Sequence, residues 1–194
     1  MTKSVMFVGV GGQGTLLASR IIGNAVIAEG FDAKVSEVHG MSQRGGSVST
    51  YVKFGEEVHS PIIDKGEADI IVAFELMEAA RWVSYVKAAS PTQKGGLMII
   101  NTQKLDPMPV ITGAVQYNED IINKIKGLGI DVIELNALTL AEQAGSAKTV
   151  NVVMMGALSK QLDFDVSRWE TAIRECVPQK ALEMNLKAFE LGRN

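Results

Sequence analysis

The chain has 194 residues, with 19 Lys and Arg against 22 Asp and Glu, a net charge of -3 and a hydrophobic fraction of 46%. That length suits one domain, residues 1–194, with a full layered core, and the composition argues against a disordered or collagen-like chain. The slightly acidic balance argues against nucleic-acid binding through a clustered basic surface, and no run of about 18 apolar residues is present to span a membrane.

Val5 to Val8 is a short apolar run stopped by glycines, the pattern of a strand buried on both faces rather than of a signal peptide. Gly9-Val10-Gly11-Gly12-Gln13-Gly14 follows, and then Thr15 to Ala28, a helix apolar on nearly every side that ends at Gly30. Ala33 to Val38 and Ser47 to Phe54 read as the second and third strands. Only eight residues, His39 to Gly46, stand at their junction. A parallel crossover takes about a dozen or more, so these two strands are expected to be antiparallel or splayed.

Asp69 to Phe74 reads as a buried strand, Glu75 to Ala89 as a helix and Leu97 to Ile100 as a strand. Met108 to Val115 is a further candidate strand, edge-like because of Pro107 and Pro109. Asn118 is placed to cap a short helix ended by Gly127 and Gly129, and Val132 to Leu135 is the last strand. Beyond it the pattern is helical: Leu138 to Ala144, Val150 to Gln161, a helix capped by Ser167 with Glu170 three residues on, and a final helix ending at Gly192. The order predicts an α/β, Rossmann-like three-layer sandwich with a mainly parallel sheet, irregular after its second strand. Both glycine segments follow strands and so belong to one edge of that sheet.

Gly9-x-Gly11-x-x-Gly14 matches the dinucleotide fingerprint, and Glu37 lies 23 residues beyond Gly14. Glycines permit close backbone approach, and a helix N-terminus favours an anion. A free-standing NAD(P)-dependent Rossmann dehydrogenase is therefore an alternative, opposed by the short connection after the second strand. In the second segment, Met41-Ser42-Gln43-Arg44-Gly45-Gly46, two polar side chains and an arginine fork precede two glycines, a composition suited to phosphate or carboxylate. The candidate binding residues are Gly11, Gly12, Gln13, Gly14, Ser42, Gln43, Arg44, Gly45 and Gly46, with no catalytic or metal-ligating residue among them.

Cys176 is the only cysteine, which excludes a disulfide framework and suits a cytoplasmic chain. One Cys and two His, His39 and His59, are too few for a four-ligand iron–sulfur cluster or a structural zinc site. A Walker phosphate loop is missing, as is the Gly-Asp-Gly followed by Asn that carries magnesium and thiamine diphosphate. A catalytic kit of the chain's own is not visible.

GVGGQGTLLASRI at the start, SEVHGMSQRGGSVSTYVKFG and HSPIIDKGEADIIVAFE resemble the gamma-type subunit of 2-oxoacid ferredoxin oxidoreductases, and the EVHGMSQRGG string is similar to the indolepyruvate branch. The resemblance continues through Asn101 to Gln103, NVVMMGAL at Asn151 to Leu158 and NLKAFELGR near the end. Relatives commonly read Ser-His-Val-Arg where this chain has Thr50-Tyr51-Val52-Lys53. The resemblance implies oxidative decarboxylation of an aryl 2-oxoacid to an acyl-coenzyme A with electrons passed to ferredoxin. It implies a large partner subunit holding thiamine diphosphate, Mg and iron–sulfur clusters. It leaves this chain with no cofactor bound alone and a contact with coenzyme A, the oxoacid or only the partner; for the isolated chain, self-association as a homodimer stays open.

Overall fold

In a computed structural model describing residues 2–40, 45–92 and 94–194, the apolar run after Thr2 forms β1 (Lys3–Val10), six of whose residues are buried. A turn leads to α1 (Thr15–Ala28), whose Ala18, Ile21, Ile22, Ala25 and Val26 are fully enclosed. Next come β2 (Asp32–His39), β3 (Ser47–Gly55), β4 (Ile70–Ala73), α2 (Leu76–Trp82) and β5 (Leu97–Asn101). The remaining elements are α3 (Met108–Ile111), α4 (Ile121–Gly127), β6 (Asp131–Leu135), α5 (Ala137–Ala144), α6 (Val150–Ser159), α7 (Val166–Cys176) and α8 (Leu182–Arg193).

The sheet order is β2-β3-β1-β4-β5-β6. β1, β4, β5 and β6 are parallel neighbours, whereas β3 is antiparallel to both β1 and β2. The short connection after β2 therefore has the expected consequence: the chain turns straight back. β3 then occupies the place beside β1 that the second strand holds in a mononucleotide-binding fold.

Helices cover both faces, because alternate residues of the central strands are apolar in both directions. Val5, Phe7, Val52, Phe54, Val72 and Ile99 face a core shared with α1 and α5 to α8. Met6, Val8, Ile71, Ala73, Met98 and Ile100 face a second core closed by α2 and α4. In the first core, Phe54, Phe164, Trp169 and Phe189 form a chain of aromatic pairs with centroids 5.8–6.2 Å apart. α6 and α8 cross with their backbones in near contact. A Cβ on Gly156 would lie 2.2 Å from the Phe189 carbonyl oxygen, and one on Gly192 would lie 2.0 Å from that of Val153.

Five expectations change. Asn118 does not cap the short helix: α4 begins after Asp120 with no side-chain cap, and Asn118 Oδ1 accepts from the Asp120 N–H at 3.1 Å instead. Residues from Met108 to Val115 are not a strand: α3 starts after Pro107 and takes Pro109 into its first turn, where a proline costs no hydrogen bond. The helix after Glu75 stops at Trp82 and a 3-10 turn, not at Ala89, because Val86 bridges Ala68 and the Lys87 N–H donates to the Ala68 carbonyl 3.0 Å away. α7 is capped by Asp165, whose carboxylate accepts from the Ser167 N–H at 2.8 Å; Ser167 itself is already helical. The last helix runs through Gly192 to Arg193, since the missing side chain at Gly192 serves the crossing with α6.

Candidate functional site

β1 ends where β3 begins, with Val10 opposite Ser47, and β2 ends opposite the same stretch, with His39 opposite Val48. The two glycine segments are thereby brought together at the carboxyl end of β1. The Gly11 N–H donates to the Gly46 carbonyl at 2.8 Å, and the Gly45 N–H reaches the Gly11 carbonyl at 3.5 Å. Of the sequence candidates, Gly11, Gly12, Gln13, Gly14, Gly45 and Gly46 meet here; Ser42, Gln43 and Arg44 lie outside the described residues.

Gln13 is the strut of the first turn. Its Oε1 accepts from the Val10 N–H at 2.9 Å, and its Nε2 donates to the Phe74 carbonyl at 3.2 Å, tying the turn to the end of β4. A Cβ at Gly9 would fall 2.7 Å from that Oε1, so the glycine makes room for the strut. Gly14, at φ 82°, caps α1 without a side-chain hydrogen bond, and the first turn of α1 holds no acidic residue. The leading N–H groups of α1 are consequently left to whatever occupies the space in front of them.

That space is a cleft of about 400 Å³, walled by the glycine turn, by Thr15 and Leu16 of α1, and by Glu37, His39 and Val48 from the strand ends. Its character changes from one end to the other, with backbone donors at the turn and a carboxylate on β2. Glu37 Oε2 is buried without a hydrogen-bond partner among the described residues, and so is the hydroxyl of Thr50, the residue opposite it on β3. Among the described residues, His39 is exposed and hydrogen-bonds to its neighbour's carbonyl, His59 is exposed near Glu57, and neither joins a catalytic array. For a dinucleotide, the acid on β2 stands one strand farther from the glycine turn than in the nicotinamide-binding fold, because β3 intervenes.

Sequence reasoning missed the side chains that hold this arrangement rigid. Asn101 is fully buried; its Nδ2 donates to the Phe74 carbonyl at 3.0 Å and its Oδ1 accepts from the Ala137 N–H at 3.1 Å, joining the ends of β4 and β5 to α5. Asn151 donates to the Gly14 carbonyl at 3.3 Å from the start of α6. Glu75 and Glu78, both almost completely buried, flank the end of β4 on α2. Glu75 caps α2 through the Glu78 N–H at 3.0 Å and accepts from the Leu105 N–H and the Tyr117 hydroxyl, each at 3.1 Å. The available signal was polar residues inside apolar runs (ELMEAARW and NVVMMGAL), which must find partners once enclosed.

Burial and the nearby Glu75 charge push the Tyr117 phenol well above its ordinary value. A raised group gives stability that is complete below its unfolded value, near pH 10, and that is lost as pH rises from there toward the folded value. Tyr117→Phe is expected to cost about 1 kcal/mol at neutral pH and to make the decline above pH 10 shallower. Urea unfolding at pH 7 and pH 11 measures both effects, and parallel curves for the two proteins would contradict this assignment.

Cys176, on α7 beside Asn24, has its thiol pushed up by burial and the adjacent Glu175. One such thiol does not suit a cluster needing four thiolates. Among the described residues no three His, Cys, Asp or Glu side chains converge as metal ligands, and no helix is long and apolar enough to cross a membrane.

The Lys53 departure lies far from the cleft: it pairs with Ser4 near the opposite end of β1 and its ammonium meets Glu67 at 3.5 Å. Tyr51 packs against the second core.

Residues 4–194 match the family model described as pyruvate ferredoxin/flavodoxin oxidoreductase. The indolepyruvate oxidoreductase subunit IorB of Thermococcus kodakarensis is 41% identical over 97% of this chain and 93% of its own length. Its counterpart in Archaeoglobus fulgidus is 39% identical over 100% and 95%. Among solved structures, the fold matches the 2-oxoglutarate:ferredoxin oxidoreductase from Magnetococcus marinus with 2-oxoglutarate, coenzyme A and succinyl-CoA bound. The TM-score is 0.73 at 17% identity, over 99% of this chain and 30% of that one. An α/β sheet interrupted by an antiparallel third strand, two glycine loops joined at its edge and a match along nearly the whole sequence have one meaning: this chain belongs to the pyruvate ferredoxin/flavodoxin oxidoreductase family.

Proposed function

We propose that this chain is the small subunit of an indolepyruvate-type 2-oxoacid:ferredoxin oxidoreductase, inactive until it joins a large subunit. Thiamine diphosphate, Mg and the clusters belong to that larger subunit in this reading; they supply carbanion stabilisation and one-electron transfer. The reaction converts an aryl 2-oxoacid and coenzyme A to an acyl-CoA and carbon dioxide, passing two electrons to ferredoxin. The 41% identity to a subunit named for indolepyruvate supports the substrate class.

The contribution of this chain is a cleft that binds and shields. The observation that carries the reading is the Gly11–Gly46 hydrogen bond, which fuses the two glycine loops into one donor-lined hollow at the carboxyl edge of the sheet. There the backbone N–H groups of Gly12 and Gly14 and the start of α1 face an anion, either the coenzyme A pyrophosphate or the oxoacid carboxylate, the Gln13 N–H being taken by the Val10 carbonyl at 3.2 Å. In this reading Ser42, Gln43 and Arg44 of the second segment supply further donors for the anion, Arg44 as a fork-shaped cation. Gln13 keeps the first turn at a fixed depth, and closing the hollow against the large subunit excludes water.

Arg44→Ala in the assembled complex is expected to raise the KM for coenzyme A or the oxoacid roughly tenfold or more, the size of one lost charge-assisted hydrogen bond. Subunit composition by size-exclusion chromatography should not change. Unaltered kinetics in an intact complex would refute the reading.

A further inference from the structure

Among the inward-facing positions of α2, Leu76 and Ala79 are apolar, but Glu78 is a carboxylate only 3% exposed. An enclosed carboxylate is costly unless several donors surround it, and an apolar side chain of similar volume is often no less stable in such a place. Among the described residues Glu78 has three donors. Its Oε1 accepts from Arg81 Nε at 2.9 Å, while its Oε2 accepts from Trp82 Nε1 at 3.2 Å and from the Ser47 hydroxyl at 2.5 Å. Two of these donors belong to α2 itself. The third reaches out to the first residue of β3, next to Gly46, whose carbonyl holds Gly11. A rigid line thus runs from α2 through Ser47 to both glycine loops.

We infer that Glu78 is a positioning residue: through Ser47 it fixes where Gly45 and Gly46 sit against the first glycine turn, and so sets the affinity of the cleft for the anionic substrate. This rests on the proposed role of the loops and goes further by naming the side chain outside the cleft that places them. Helix capping does not explain Glu78, since Glu75 already caps α2. Nor does the Arg81 pair, whose guanidinium side is 59% exposed and gains little from a charge it shares with water.

The test uses the assembled complex, with coenzyme A and the 2-oxoacid as varied substrates. Ser47→Ala and Glu78→Gln are each expected to raise the KM for the substrate that Arg44→Ala affects, by roughly three- to tenfold, while kcat stays within about twofold. Because the two side chains act through one hydrogen bond, the double variant should be no worse than the poorer single variant. Ser47→Thr, which keeps the hydroxyl, should restore the KM. If Arg44→Ala raises the KM while Ser47→Ala and Glu78→Gln keep the native value, or if their effects multiply, the positioning role is overturned and the reading of the loops stands. Native kinetics in all three variants would overturn both.

Discussion

Gly156→Val is expected to be the most damaging single substitution in the fold. Its first added carbon would lie 2.2 Å from the Phe189 carbonyl oxygen and 2.9 Å from the Arg193 nitrogen, atoms of a backbone that cannot rotate away. α6 and α8 would have to separate, and with them would go the packing of Val152, Val153, Ala188 and Phe189 in the larger core. Overpacking at sites that relax costs about 1–3 kcal/mol. Here the obstruction is main chain on both helices, because Gly192 meets Val153 in the same way, so a loss of at least about 3 kcal/mol is expected. Thermal unfolding should show this as a fall of roughly 10 °C for a domain of this size. Gly127→Ala is the control: nothing lies within 4 Å of its added carbon, and it should unfold at or slightly above the native temperature. A Gly156→Val protein as stable as that control would mean that the crossing is looser than the geometry states.

Gly14→Ala carries the second large effect, and it falls on the cleft. The residue holds φ 82°, a conformation that costs a residue with a Cβ roughly 1–2 kcal/mol. The added carbon also meets Asn151 Nδ2 at 2.6 Å. Relief requires α1 to tilt or Asn151 to release the Gly14 carbonyl, and either movement displaces the N–H groups at the head of α1. Activity of the assembled complex is expected to fall at least about tenfold, as misplacement of a binding element does. Pairing the change with Asn151→Ala separates the two causes: the double variant should regain part of the stability lost to the collision and none of the part due to backbone strain. If the double variant is no better than Gly14→Ala alone, the collision contributes nothing.

These two glycines show what the sequence revealed and what it hid. Gly14 was legible because it sits between an apolar strand and an apolar helix, where spacing alone marks a turn. The reversal after β2 was legible too, since eight residues are too few for a crossover. Gly192 read as the end of the last helix and Gly156 as an ordinary member of the helix from Val150; only the meeting of two segments 36 positions apart gives them a reason. Glu78 and Asn151 were hidden likewise, because a buried polar side chain is identified by partners that the linear sequence does not display. The prolines near Met108 misled in the other direction: a proline suits a strand edge and a first helical turn equally, and tertiary context decided for the helix.

β3 runs against β1, so the segment between Gly40 and Gly46 leaves and re-enters the sheet on the same side, anchored by His39 opposite Val48 and by Ser47 opposite Val10. Its two ends are neighbours whatever its contents. The frame that receives this segment is thus independent of what it carries: the strand registers on either side are set by residues outside positions 41–44.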